Sequence, residues 1–260
     1  MAIRISFADL THTGQLVAAN TFPLGITMVA AYANKVLGDE IEFDIFRYPE
    51  EFNTYLEKGL PLIACFSIFS WNMHLAHEHA RKLKEIAPQT ITIFGGANIP
   101  NTSDEQKPFL FKYPAIDFCV EGEGEITFIE LYNALKKFRF DAEAFKKSGQ
   151  KVANTCYVYE DKMVKGDLLP RIMDLEIIPS TFDNGLSDKF FDNHLLPMIQ
   201  TARGCPYLCT FCHEGAKYFN KTRRVSQERV KYEIEYIAKR AKTPDLFITD
   251  LNFGMFPEDI

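Results

Sequence analysis

Several common features are missing from this 260-residue chain, and each absence closes off a class of function. No stretch approaches the ~18 uninterrupted apolar residues of a membrane span. The opening residues, MAIRISFADLTHTG, contain no apolar core of a signal peptide. The expected location is therefore the cytoplasm, a reducing compartment. Basic charge is not in surplus either. The net charge is −6, which argues against nucleic-acid binding driven by bulk charge. There is no internal repeat and no low-complexity tract. No GxGxxG follows the first apolar run, so the dinucleotide fingerprint is absent. What the chain does have is 47% hydrophobic residues, enough to fill a core, and six cysteines. In a reducing compartment, cysteines suggest metal or redox chemistry before disulfides.

The first 140 residues alternate between strand and helix signals. Strands are predicted over 3–8, 42–46, 62–68, 90–94 and 116–120. Helices are predicted over 24–37, 50–58, 73–87 and 125–138, the last with Phe128, Leu131 and Leu135 at helical spacing. Pro23 and Gly38 punctuate the first helix. The run LIACFSI is continuously apolar, as in a central strand covered on both faces. This alternation predicts an α/β fold, a doubly wound parallel sheet with right-handed crossovers. Ligands of such sheets bind beyond the C-terminal ends of the strands. Four segments lie there: 9–22, 69–72, 95–102 and 121–124. Gly95-Gly96 in one and Gly122 and Gly124 in another let backbone approach a ligand, or simply make turns.

From residue 141 to 197 the pattern loosens. Residues 153–160 and 163–165 flank a polar turn and suggest a small hairpin containing Cys156. Pro170, Pro179 and Pro197 indicate an extended crossing segment. The expected organisation is 1–140 as one domain, 141–197 as a linker with a hairpin, and 198–260 as the start of another.

Residues 198–212 read MIQTARGCPYLCTFC, a short strand leading into Cys205, Cys209 and Cys212. Three thiolates on a loop after a strand can converge on a metal centre, and soft thiolates suit zinc, copper(I) or iron–sulfur. Structural zinc usually has two paired knuckles, and no second one follows. Cys209 to His213 also spells CxxCH, the attachment pattern of c-type haem, but that pattern leaves Cys205 unexplained. Inert thiols or a disulfide are further alternatives.

RGCPYLCTFC resembles the cluster motif of the radical S-adenosylmethionine (SAM) superfamily, with the aromatic Phe211 before the third cysteine. The resemblance implies that Cys205, Cys209 and Cys212 ligate a [4Fe–4S] cluster whose fourth iron chelates SAM. Reductive cleavage would then give a 5′-deoxyadenosyl radical, with Phe211 near the adenine. A helix from Ser226 to about Lys242 and a strand over 246–250 should follow. The segment TDLNFG resembles a second barrel strand in cobalamin-associated members, and it implies that Asp250 and Asn252 face SAM. The GGE-like sequence more general in the superfamily is missing there. Residues 198–260 hold only two strands at about 30 residues per strand–helix–strand unit. The barrel is therefore expected to be partial and the chain a portion of a longer enzyme.

The first domain resembles the Rossmann-like cobalamin-binding domain that precedes many radical SAM barrels. The matching stretches are FPLGITMVAAYANK, FSIFSWN, GGANIP and VEGEGEITFIEL. The resemblance implies that Leu24, Gly25, Ser70, Trp71, Gly95, Gly96, Glu121, Gly122, Glu123 and Gly124 line a cobalamin site. The lower face of the corrin would be met by one of Phe69, Ser70, Trp71 or Asn72, with His12 as an outside candidate for contact. The DxHxxG motif of methionine synthase and the cobalamin mutases is absent. His74, His77 and His79 read as packing or solvated residues.

The expected cofactors are thus a [4Fe–4S] cluster, SAM and cobalamin. The expected activity is methyl transfer to an unactivated carbon of a small or lipid-like substrate. An external donor of the flavodoxin or ferredoxin type would supply electrons. The alternatives are cyclisation or rearrangement, with or without cobalamin, and a non-catalytic binding module.

Overall fold

The computed structural model describes residues 2–14, 19–100, 102–215 and 217–259, with the backbone alone at His213 and Glu258. The chain divides into two compact units. One comprises residues 1–19 and 25–169, the other 20–24 and 170–260.

The first unit is built on β1 (Ile3–Ala8), α1 (Leu24–Leu37), β2 (Ile41–Phe46), α2 (Pro49–Glu57), β3 (Ile63–Ser67), α3 (Met73–Ile86), β4 (Ile91–Gly95), α4 (Ser103–Lys112), β5 (Phe118–Val120), α5 (Gly124–Lys137), α6 (Ala142–Ser148), β6 (Thr155–Tyr159) and β7 (Lys162–Lys165). The seven strands form one sheet in the order β2-β1-β3-β4-β5-β6-β7. The strands from β2 to β5 run parallel, as the strand–helix alternation predicts. β6 and β7 extend the sheet antiparallel. The hairpin expected in a connecting segment is therefore the margin of this sheet.

Successive side chains of a strand face opposite sides, so the sheet fills two cores. Phe46, Phe66 and Phe94 pack with Phe52, Met73, Ala76, Ala80 and Leu83 of the helices on one face. On the other, Phe7 meets Phe128 edge-on at 5.3 Å, and Phe118 meets Phe145 at 5.4 Å. All five residues of β3 are buried, which accounts for its apolar run from Ile63 to Phe66.

Two helices were not predicted. α4 contains Pro108, which removes a backbone donor and masks the helical pattern. Its start is set by Thr102, whose hydroxyl donates to Glu105 at 2.9 Å. α6 is only seven residues long and is capped by Asp141, which accepts from the Ala144 backbone N–H. β5 is shorter than the predicted 116–120, because Ile116 and Asp117 are held by the Tyr113 carbonyl and Thr92 instead.

The second unit contains β8 (Met198–Ile199), β9 (Ala202–Arg203), β10 (Arg223–Arg224), α7 (Gln227–Ala238) and β11 (Phe247–Ile248). β8 and β11 pair in parallel and β9 and β10 antiparallel. Ser226 caps α7 by accepting from Arg229 N, and the helix ends before the predicted Lys242. Phe22, Phe182, Phe190 and Phe191 form the apolar centre of this unit. Among the described residues, no helix is long and apolar enough to cross a membrane.

Candidate functional site

In the first unit the chain leaves β1 toward β2 on one side, while β3, β4 and β5 follow on the other. The strand order thus reverses between β1 and β3, and in sheets of this kind ligands bind at such a point, beyond the C-terminal ends of the strands. Of the four predicted strand-end segments, residues 9–14, 69–72, 95–100 and 121–124 come at the ends of β1, β3, β4 and β5 on the C-terminal edge of the sheet, while residues 20–22 belong to the second unit. Residues 15–18 and Asn101 fall outside the described residues.

The β3 and β4 loops interlock. Ile68 N–H donates to the Gly95 carbonyl at 2.7 Å, and Asn98 N–H donates to the Ile68 carbonyl at 3.1 Å. Gly96 has φ +112°, and a Cβ there would stand 2.6 Å from the Ile68 carbonyl oxygen. Only glycine lets the two loops come this close. In the β5 loop, Glu121 is not free. It forms an ion pair with Lys165 of β7 at 2.9 Å, which ties the loop to the hairpin. Gly122 is exposed, and Glu123 leads into α5. Gly124 begins that helix close against Val29 of α1, where a Cβ would be 3.1 Å away. At the start of α1, Leu24 is buried, whereas Gly25 is exposed with open space where a Cβ would sit.

The β3 loop carries the most exposed aromatic surface of this edge. Trp71 is 51% exposed and stacks on Phe69, with ring centroids 4.6 Å apart and planes 2° from parallel. Ser70 between them is exposed. Asn72 is buried, its side chain consumed by hydrogen bonds to Asp9, Leu10, Ser67 and Phe69. Of the four residues expected to meet a corrin from below, the stacked pair and Ser70 thus have accessible side chains, and Asn72 has none to offer.

Beneath this edge lies an ion pair that sequence reading missed. Arg47 and Asp9 meet at 2.7 Å with both side chains almost fully buried. Arg47 also donates to the carbonyls of Asp9 and Ala19. Burial outweighs the guanidinium and raises the Asp9 carboxyl from 3.8 to about 6. The available signal was two opposite charges placed directly after two apolar strands.

The α3 histidines pack as expected. His77 meets Tyr113 edge-on at 4.9 Å, and His79 Nδ1 hydrogen-bonds the Leu75 carbonyl at 2.9 Å. Burial lowers the pKa of both rings.

The cysteine loop belongs to the second unit. Gly204 has φ +97°, and a Cβ there would lie 2.2 Å from the Lys221 carbonyl oxygen, so the chain turns tightly just before Cys205. Cys205 N–H donates to the Phe219 carbonyl, Cys212 N–H to Cys209, and Gly215 N–H to Cys212. The loop satisfies its own backbone and leaves Cys209 and Cys212 exposed and Cys205 half-buried. Cys65, Cys119 and Cys156 are buried, and burial pushes the Cys65 and Cys119 thiols up, away from the thiolate form.

Among the described residues, no three His, Cys, Asp or Glu are grouped closely enough to share one metal ion. The side chain of His213 is outside them. A cube of iron and sulfur distributes its thiolates over separate irons and does not require such convergence. The donor set, three accessible thiols on one loop, fits a soft iron–sulfur centre.

Phe211 is 91% exposed beside these cysteines. Asp250, expected to face SAM, turns its carboxylate onto the end of β8. It accepts from the backbone N–H groups of Thr201 and Ala202 and from the Thr201 hydroxyl. The Asn252 side-chain nitrogen is buried with no partner among the described residues. An amide donor in that state suits an acceptor such as a ligand carboxylate.

Residues 14–132 match the B12 binding domain family. The cobalamin-dependent radical SAM methyltransferase TokK of Streptomyces tokunonensis is 31% identical over 206 residues, covering 77% of this chain and 29% of TokK. The anaerobic magnesium-protoporphyrin IX monomethyl ester cyclase of Cereibacter sphaeroides is 24% identical, covering 67% of this chain and 28% of the cyclase. In fold, the chain resembles OxsB, a cobalamin-dependent SAM radical enzyme solved with aqua-cobalamin and SAM bound. The TM-score is 0.70 at 21% identity, over 99% of this chain and 35% of that one. The chain thus spans less than a third of the length of these two curated relatives. Residues 14–132 are similar to the B12 binding domain family, and the chain is similar in sequence to part of a cobalamin-dependent radical SAM methyltransferase.

Proposed function

We propose that this chain binds cobalamin at the C-terminal edge of its parallel sheet and a [4Fe–4S] cluster through Cys205, Cys209 and Cys212. The protein acts as a radical SAM methyltransferase. The observation that carries the reading is the three-cysteine loop directly after β9, in a chain whose residues 14–132 match the B12 binding domain family. When bound, the cluster would supply the electron that cleaves SAM, and cobalamin would carry a methyl group.

The chain's own residues have the following parts. The Gly95-Gly96 and Glu121–Gly124 loops present backbone to the corrin, with Leu24 and Gly25 at the adjoining helix start. Ser70 and Trp71 face it from the β3 loop. Gly204 sets the turn that brings Cys205 toward its partners. Phe211 and Asn252 face SAM, and Asp250 holds the strand ends between which the cysteine loop begins. Substrate is a small or lipid-like molecule. The electron donor is external and of the flavodoxin or ferredoxin type.

The likeness to the cyclase supports a second reading, ring formation in place of methyl transfer. The test is anaerobic production with iron and hydroxocobalamin supplied, followed by metal analysis and an absorption spectrum. Stoichiometric cobalt with corrin bands, and cluster iron lost in Cys209→Ala, support the proposal. Cobalt absent from the wild type, or iron retained in Cys209→Ala, overturns the corresponding half. Transfer of isotope from methyl-labelled SAM to product separates methylation from cyclisation.

A further inference from the structure

The turn that carries Phe69, Ser70 and Trp71 is held far more firmly than its exposure suggests. Asn72 closes it from inside. Its side-chain oxygen accepts from Phe69 N–H at 2.7 Å. Its amide nitrogen lies 3.0 Å from Asp9 Oδ1, 3.0 Å from the Leu10 carbonyl and 3.1 Å from the Ser67 carbonyl. Two amide hydrogens thus serve three acceptors, drawn from the loop after β1 and the end of β3. Asp9 is fixed in turn by Arg47. From the outside, His12 of the β1 loop donates from Nε2 to the Trp71 carbonyl at 3.1 Å.

These contacts cross the point where the strand order reverses. Burying Asn72 and an ion pair there is costly unless every group is partnered. The return is a turn pinned on both sides that carries two parallel, stacked rings, the outer one, Trp71, half exposed.

We infer that Asn72 and His12 are positioning residues that fix the stacked Phe69–Trp71 pair so that the Trp71 ring meets the corrin. The inference rests on the reading that the chain binds cobalamin. Neither residue touches the cofactor. Asn72 sets the position of the turn, and His12 sets the tilt of its outer end.

Trp71 is the single tryptophan of the chain and therefore reports on itself. The full chain is titrated with hydroxocobalamin. Quenching of Trp71 fluorescence is followed, and equilibrium dialysis gives an independent affinity. Wild type should quench saturably. Asn72→Ala should weaken binding about tenfold, the scale for losing a group that orients a ligand contact. His12→Ala removes one exposed hydrogen bond and should weaken binding about threefold. Both variants should lower the fluorescence anisotropy of Trp71 without ligand, and neither purely structural loss nor unfolding would do so with the far-UV circular dichroism unchanged.

Should Asn72→Ala fail to fold, His12→Ala decides, because its side chain is exposed and the core is untouched. Unaltered affinity and anisotropy in His12→Ala overturn the inference. A wild-type chain that takes up no cobalamin in dialysis removes the functional reading and this inference with it. Wild-type binding with indifferent variants removes the inference alone.

Discussion

The carboxylate of Asp250 accepts the backbone N–H of Thr201 at 2.8 Å, joining the second residue after β11 to the second residue after β8. The two strands are each only two residues long. This side chain therefore supplies much of what keeps their ends in register just before the cysteine loop. Asp250→Ala leaves two backbone donors and a hydroxyl without their acceptor, at a cost of about 1–3 kcal/mol. Asp250→Asn keeps one acceptor oxygen and should lose less. Thermal unfolding and iron content after reconstitution check both, with the alanine variant expected to hold less iron.

Gly96→Ala places a methyl group 2.6 Å from the Ile68 carbonyl oxygen in a backbone conformation that alanine rarely adopts. The β3 and β4 loops must then part. The expected loss is about 1–3 kcal/mol, read as a lower denaturant midpoint with an unchanged slope. Gly25→Ala, where the space is open, should be close to neutral in the same measurement.

Asp9 makes stability depend on pH in a specific direction. Its folded pKa is raised from 3.8 to about 6, so between these values the folded chain holds a proton that the unfolded chain has released. Its contribution is fully present below pH 3.8 and is lost as pH rises through 6, by about 3 kcal/mol in all. Asp9→Asn abolishes that slope. Subtracting the stability of the variant from that of wild type across pH 4–7 should give a difference that falls with pH. A flat or rising difference refutes the assignment.

The six cysteines should separate by reactivity. Iodoacetamide on the folded, metal-free chain is expected to label Cys209 and Cys212 first and Cys205 more slowly, following their exposure. Cys65, Cys119 and Cys156 should label only after denaturation. Peptide mass spectrometry resolves the order, and iron loading should protect the first three selectively.

Strand-scale features of this fold were legible because periodicity and burial coincide. LIACFSI is apolar but for Ser67, and its strand is covered on both faces. α4 escaped because Pro108 hides a helix whose amphipathic pattern is already weak. The sheet position of β6 and β7 escaped because pairing with β5 is non-local, and nothing in TCYVY names its neighbour. The glycine loops were found by their spacing after strands. The Asp9–Arg47–Asn72 network was not, since its members lie 25 or more residues apart and only the closed sheet brings them together. Asp250 shows the limit of motif reading. The residue type was singled out, but its partners across the strand ends were not.

The outermost strands of the seven-stranded sheet carry opposite charges. β2 has Glu42 and Asp44, while β7 has Lys162 and Lys165. An open strand edge is a template on which a second sheet can grow, and charged side chains spoil that template. Like would meet like if two copies joined β2 to β2 or β7 to β7. The hairpin thus does more than lengthen the sheet. By replacing the apolar margin of β5 with a short lysine-bearing one, it removes the most adhesive surface that the parallel sheet would otherwise present.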